Sequence, residues 1–372
     1  MKMDSLYIHI PFCNRICTYC DFNKVLIKNQ PVDEYIDALI QELSQIEIRT
    51  FKTIFVGGGT PTALTVSQLD RLLVFINKTF IVTHEFSFEA NPDELTEEKL
   101  NVLNAHGVNR ISLGIQTFNN ELLKVLGRTH QLDDIYNSIN HLNKIGLSNY
   151  SIDLMYNLPG ESTGDIEDSL KHVEMIRPKH VSWYSLIIEP HTVFYNKIKA
   201  GKMKIADDSI EQKKYERVME GLTALGYPQY EISNFAEEAF ESMHNKTYWK
   251  NEYYYGAGAG SHGYTPGRRY YNIKPVNHYI NTMNETGSVV KEVIEISDKE
   301  RMEEEMFLGL RMNKGVNKTR FKEKFGSDIE SVYGSVINEL ENKNLIAGND
   351  DYIALTKHGR IVGNEVFSEF LL

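Results

Sequence analysis

His9-Ile-Pro-Phe-Cys13-Asn-Arg-Ile-Cys17-Thr-Tyr-Cys20-Asp-Phe22 decides how this chain is read. The stretch continues directly from Leu6–Ile10, an apolar, β-branched run that predicts a strand. Its Cys-x3-Cys-x2-Cys spacing puts three thiols in one loop, and closely spaced thiolates can wrap an iron–sulfur cubane. These are the only three Cys of the 372-residue chain. An odd, tightly clustered set argues against a disulfide framework and points to metal or redox chemistry in a reducing compartment. A [4Fe–4S] cube has four irons, so three thiols leave one iron to a non-protein ligand. A zinc site with His9 as fourth ligand is the alternative, although zinc's usual spacing comes as two Cys-x2-Cys halves.

Outward from this loop the first half of the chain alternates strand and helix patterns. Strands are predicted at Leu6–Ile10, Thr53–Val56, Phe86–Glu89, Arg110–Gly114, Ser151–Met155 and His180–Leu186. Helical periodicity falls between them, at Val32–Ile48, Val66–Phe80, Thr96–His106, Leu132–Ile145 and Ile166–Ile176. Gly107 and Gly146 read as helix ends, and Asn91-Pro92 and Leu158-Pro159-Gly160 as turns. Six βα units predict a parallel sheet with right-handed crossovers. Six strands are too few for a closed eight-stranded barrel, so the expected fold is α/β, a three-quarter TIM-like barrel open on one side. Its chemistry should then gather at the C-terminal ends of the strands.

Residues at those ends bear this pattern. Gly57-Gly-Gly-Thr60-Pro61 follows the second strand, and consecutive glycines let backbone groups approach a ligand closely. Glu89 ends the third strand, Gln116 follows the fourth, Asp153 lies in the fifth, and Arg128 comes in a helix–loop connection. Singly, each could be a rim salt bridge or a cap. Together they suit a site for a cationic amino acid, a ribose diol and a carboxylate, which Arg can clamp bidentately.

The domains expected are a barrel at 1–204, a barrel-covering segment at 205–297 and a C-terminal unit at 298–372. Ser209–Leu225 predicts a helix, and Tyr227–Tyr271 is rich in Tyr, Gly and Asn. The last segment, three helical stretches and a strand pair around Leu345–Leu355, resembles a winged helix. It carries 11 Lys and Arg against 14 Asp and Glu, which favours a packing role over DNA binding. A net charge of −11 likewise argues against a nucleic-acid partner, which would need a positive stripe. No apolar run approaches the ~18 residues of a membrane span, and no signal-peptide pattern precedes the first strand, so the expected location is the cytoplasm.

The motifs carry a resemblance over nearly the full length. The chain resembles the radical S-adenosylmethionine (SAM) proteins related to oxygen-independent coproporphyrinogen III oxidase, and within them the heme chaperone branch. The matching residues are Leu6-Tyr-Ile-His-Ile-Pro-Phe-Cys13, Gly57–Pro61, Glu89-Ala-Asn-Pro92, Ser112-Leu-Gly-Ile-Gln116-Thr-Phe118, Arg128 and Asp153-Leu-Met-Tyr-Asn-Leu-Pro-Gly160. The resemblance implies a [4Fe–4S] cluster on Cys13, Cys17 and Cys20, whose fourth iron takes the amino and carboxylate groups of SAM. It implies that Tyr7, Gly58 and Glu89 contact that SAM. In the oxidase relatives, residues matching Tyr19, Gly59, Thr60, Gln116, Arg128 and Asp153 form a second SAM site.

Two departures separate the chain from the oxidases. They carry a further Cys two residues after the third cluster Cys, where this chain has Phe22, and an N-terminal arm that is not seen here. His244-Asn-Lys-Thr-Tyr248-Trp249 matches the His-Asn-x-x-Tyr-Trp pattern of the chaperone branch. The resemblance therefore implies a heme b carrier in which His244 ligates heme iron at the open side of the barrel, with His262 as another candidate ligand. Gly258–Gly263 would let backbone approach a flat ligand. The implied partners are heme-accepting proteins, including membrane-associated respiratory enzymes, and a second copy of the chain. The reading from a different class is an enzyme, coproporphyrinogen III dehydrogenase, which decarboxylates two propionates in porphyrin biosynthesis. For the bare residues, His244 as a packed, hydrogen-bonded core histidine stays open.

Overall fold

The computed structural model describes residues 3–372, and its main feature is one mixed sheet of twelve strands. The six predicted strands are all present: β1 (Ser5–Ile10), β2 (Thr50–Gly58), β3 (Ile81–Ala90), β4 (Arg110–Gln116), β5 (Tyr150–Tyr156) and β6 (His180–Ser185). They pair in parallel and in sequence order, as expected of right-handed βα units.

The intervening helices start where local chemistry satisfies their free N–H groups. Thr65 and Gln68 form a reciprocal capping box at the helix Val66–Thr79, and Ser162 and Asp165 do the same for Thr163–Ile176. Gly107 and Gly146 end their helices with φ of +78° and +77°, which any side chain would strain.

Along each strand the side chains alternate between two destinations. Leu6, Ile8 and Ile10 of β1 are fully buried beneath the helix Val32–Ser44, whose Ile36, Leu39 and Leu43 meet them. The intervening Ser5, Tyr7 and His9 point into the barrel, where they meet other polar groups.

The segment after residue 204 extends the sheet at both edges. It supplies β7 (Gln229–Glu231) and β8 (Asn234–Ala236) beyond β6, and β9 (Tyr254–Ala257) beyond β1. The ninth strand runs parallel to β1, with Ser5 opposite Tyr254. From there β10 (His262–Thr265), β11 (Arg268–Asn272) and β12 (Val290–Glu295) continue the sheet as antiparallel neighbours. One hydrophobic cluster accordingly runs from Leu6 to Val289, with no break near residue 204. A second cluster, Met306 to Phe370, belongs to the C-terminal unit of helices and a three-stranded sheet.

Candidate functional site

The cluster loop, the triple-glycine turn and the C-terminal ends of β3–β6 line one cavity of about 380 Å³. Cys13, Cys17 and Cys20 all face it, together with Tyr19, Gly58, Gly59, Thr60, Glu89, Gln116, Arg128 and Asp153. Of the residues expected to bind SAM, only Tyr7 lies elsewhere. Its ring lines a second cavity of about 300 Å³, which shares Phe22, Gly58 and Glu89 with the first.

The three glycines serve three different contacts. A Cβ on Gly57 would sit 2.8 Å from the Glu89 carboxyl, and one on Gly58, at φ +118°, would sit 2.5 Å from the His9 ring. A Cβ on Gly59 would come within 2.7 Å of the Phe12 carbonyl oxygen and 3.0 Å of Cys13 Sγ. Gly59 N–H donates to Ile10 O and Thr60 N–H to Phe12 O, both at 2.8 Å, so the turn is stitched to the start of the cluster loop.

The donor set fits an iron–sulfur cluster. Three soft thiols share one cavity wall, Thr60 Oγ1 lies 3.6 Å from Cys13 Sγ, and Arg128 Nη1 lies 3.5 Å from Cys17 Sγ. Burial pushes the Cys13 thiol up to about 12, so metal binding there must displace a proton. The zinc alternative does not fit. Both ring nitrogens of His9 are used inside the fold, Nε2–H donating to Asn23 O at 2.8 Å and Nδ1 accepting from Tyr7 OH at 2.9 Å.

The rim residues are held by partners that the sequence reading passed over. Arg128 Nη2 donates to Asn91 Oδ1 and to Gly114 O, each at 2.6 Å, which fixes the guanidinium at the cavity. Asn91 was legible only as a turn residue. Ser112 donates to Asp153 at 2.8 Å, and Tyr184 OH to Gln116 Oε1 at 3.4 Å. Gln116 adopts φ +69° where the β4–β5 register slips, so its backbone is strained at the strand end. Desolvation raises the Asp153 carboxyl above its ordinary value, against the hydrogen bonds that lower it. Desolvation also raises Glu89, to about 8, in spite of the Gly58 N–H that it accepts.

His244 is not at the open side. It sits in the short helix Met243–Trp249, which enters the barrel at the N-terminal ends of the strands, away from the cysteines. Glu85 of β3 accepts the N–H groups of Met243 and His244, and Thr247 Oγ1 meets Ser5 Oγ at 2.9 Å. The imidazole is 1% exposed, with Nδ1 at 2.8 Å from Thr53 Oγ1 and Nε2 at 2.8 Å from Tyr248 OH. Phe55 stacks on its ring at 5.1 Å. Burial lowers its pKa to about 3, so it stays neutral. As folded it offers iron no free nitrogen, and the packed core histidine is what this geometry matches.

The glycine-rich stretch is also turned inward. A Cβ on Gly260 would collide with Asn23, and one on Gly263 with the Tyr270 ring. The half-buried Glu42 carboxylate accepts from Gly258 N–H and Asn272, and Tyr35 OH bridges His9 O and Ala259 N–H. At these glycines the chain packs closely against itself.

The radical SAM superfamily matches residues 7–173, and the HemN C-terminal domain matches residues 296–362. The heme chaperone HemW of Bacillus subtilis is 47% identical, covering 99% of both chains. This chain belongs to the HemW family of radical SAM proteins. The HemW proteins of Lactococcus lactis, at 46% identity over all of this chain and 98% of that one, and of Escherichia coli, at 32% over 99% and 98%, agree. The solved structure of coproporphyrinogen III oxidase (HemN) from Escherichia coli superposes with a TM-score of 0.86 at 24% identity, over 99% of this chain and 89% of that one. This likeness establishes the shared fold. Membership in the superfamily implies a [4Fe–4S] cluster and SAM. Among the described residues no helix is long and apolar enough to cross a membrane.

Proposed function

We propose that this chain is a heme chaperone: it binds heme b and hands it to heme-requiring proteins. Cys13, Cys17 and Cys20 would hold the cluster, and the residues around Gly58, Glu89 and Arg128 would hold SAM. When bound, the cluster and SAM together supply one-electron chemistry, and the chain's own residues orient and shield the pair. Arg128, fixed by Asn91 and Gly114 O, is set to meet a carboxylate. Glu89 is set to accept from the N–H groups of the iron-bound amine or from ribose hydroxyls. Delivery to respiratory enzymes, a dimer and a cytoplasmic location are part of the same reading.

The observation that carries the choice over the oxidase is position 22. Phe22 is 65% exposed in the wall shared by both cavities, where the oxidases that this chain resembles have a thiol. An apolar ring there suits a flat hydrophobic cargo. The test is anaerobic reconstitution followed by incubation with SAM and coproporphyrinogen III, alongside a hemin titration. A chaperone binds hemin and leaves coproporphyrinogen unchanged; protoporphyrinogen formation would reverse the assignment.

A further inference from the structure

The second cavity is aromatic on most sides, with Phe22, Tyr7, Tyr248 and Tyr254 in its wall. It also contains two histidines. His9 has both nitrogens engaged, as described above. His262, on β10, is exposed, and among the described residues neither of its ring nitrogens has a hydrogen-bond partner. Tyr271, directly opposite on β11, lies 5.6 Å from the imidazole centroid and limits how the ring can turn. Partial burial, with Lys274 and Arg269 nearby, lowers the His262 pKa, so a neutral imidazole with a free lone pair faces the cavity at neutral pH. Arg269 is paired with Glu304 at 2.8 Å, whereas Lys274 has no ion-pair partner among the described residues.

Aromatic walls suit the faces of a porphyrin, the uncommitted His262 imidazole suits its iron, and the Lys274 ammonium near His262, outside the cavity wall, suits its carboxylates. We propose that an iron porphyrin docks in this second cavity, with His262 as its axial iron ligand, Phe22 as the apolar wall towards the SAM cavity, and Lys274 beside its carboxylates. The assignment rests on the heme reading above and moves the ligand from His244 to His262. At about 300 Å³ the cavity is at the small end for a ligand site, so much of the macrocycle stays uncovered. A carrier that must release its cargo gains from that.

The experiment uses the full chain of wild type, His262→Ala, His262→Met and Phe22→Asp. Each is titrated with hemin, read by the Soret band, and with metal-free protoporphyrin IX, read by its fluorescence. His262→Ala should weaken hemin binding at least tenfold and shift the Soret band, with protoporphyrin affinity unchanged. His262→Met should bind hemin with a different Soret position, because a thioether replaces the imidazole. Phe22→Asp should weaken both porphyrins without moving the hemin Soret maximum. If wild type and His262→Ala bind hemin with the same spectrum and affinity, the site assignment fails and the chaperone reading stands. If wild type does not bind hemin, both fail.

Discussion

Glu89 accepts the backbone N–H of Gly58 at 2.9 Å, and this one bond spans the wall between the two cavities. The side chain is half-buried, and desolvation outweighs the bond, which raises the group to about 8. At pH 7 it is therefore mostly protonated in the free protein. A cationic amino acid docking beside it favours the ionised form and must expel that proton.

The prediction is that SAM binding at pH 7 releases close to one proton more from wild type than from Glu89→Gln, on top of the proton that the SAM ammonium gives up as its nitrogen ligates iron. SAM affinity should rise with pH up to about 8, since below the free-state pKa each binding event must displace a proton. Calorimetry in buffers of different ionisation enthalpy reads the proton count. Glu89→Gln should release only the proton of the SAM ammonium and show a shallower pH profile; equal release from both proteins would remove Glu89 from the SAM site.

The cluster prediction follows from the donor count. Wild type reconstituted without oxygen should hold close to four iron and four sulfide, and Cys17→Ser should lose most of both. Gly59→Ala should also lower cluster content, because its Cβ would sit 3.0 Å from Cys13 Sγ and 2.7 Å from a backbone oxygen that cannot yield. Iron and sulfide assays check both variants. Full cluster content in Cys17→Ser would overturn the assignment.

The parallel strands and their order were legible because each is a short apolar run between capped, periodic helices. Cys13, Cys17 and Cys20 were legible because spacing alone brings them together. Three matters were not. The strands β9–β12 come from a stretch whose Tyr, Gly and Asn content hides its pairing, and only long-range registers such as Ser5 with Tyr254 reveal it. Asn91 looked like a turn residue because its bond to Arg128 crosses 37 positions. His244 matched a motif, but no local signal says that its ring is threaded between Thr53 and Tyr248.

That threading makes His244 a stability residue. His244→Ala removes a stacked ring and leaves the Thr53 and Tyr248 hydroxyls without their imidazole partner inside the barrel. The expected cost is roughly 2–3 kcal/mol, combining a small cavity with lost buried hydrogen bonds. Denaturant unfolding measures it, and the hemin Soret band of the folded fraction should not move. A Soret shift with unchanged unfolding would restore His244 as the ligand.

The helix that carries His244 is held at its other end by the C-terminal unit. Lys324 Nζ donates to Lys250 O at 3.0 Å and Asn251 O at 3.2 Å, satisfying carbonyls just past the helix end. The same ammonium pairs with the Glu305 carboxylate, and both side chains are nearly inaccessible, at 5% and 6% exposure. Arg311 lies over the Trp249 ring at 4.6 Å. Burial pulls the Lys324 pKa down and the Glu305 pKa up, so each ion depends on the other to remain charged. Lys324→Met leaves Glu305 buried without its counter-ion, which costs about 3–5 kcal/mol. Glu305→Leu added to it removes the stranded charge and should recover most of that, with about 1 kcal/mol still missing for the uncapped carbonyls. Unfolding free energies of wild type, both single variants and the double variant form the cycle. In Lys324→Met the emission of Trp249 should shift to the red as the contact with Arg311 loosens, while the buried Trp183 holds its position. Additive costs in the double variant would mean that the two ions act independently and that the clamp on the helix is not a pair.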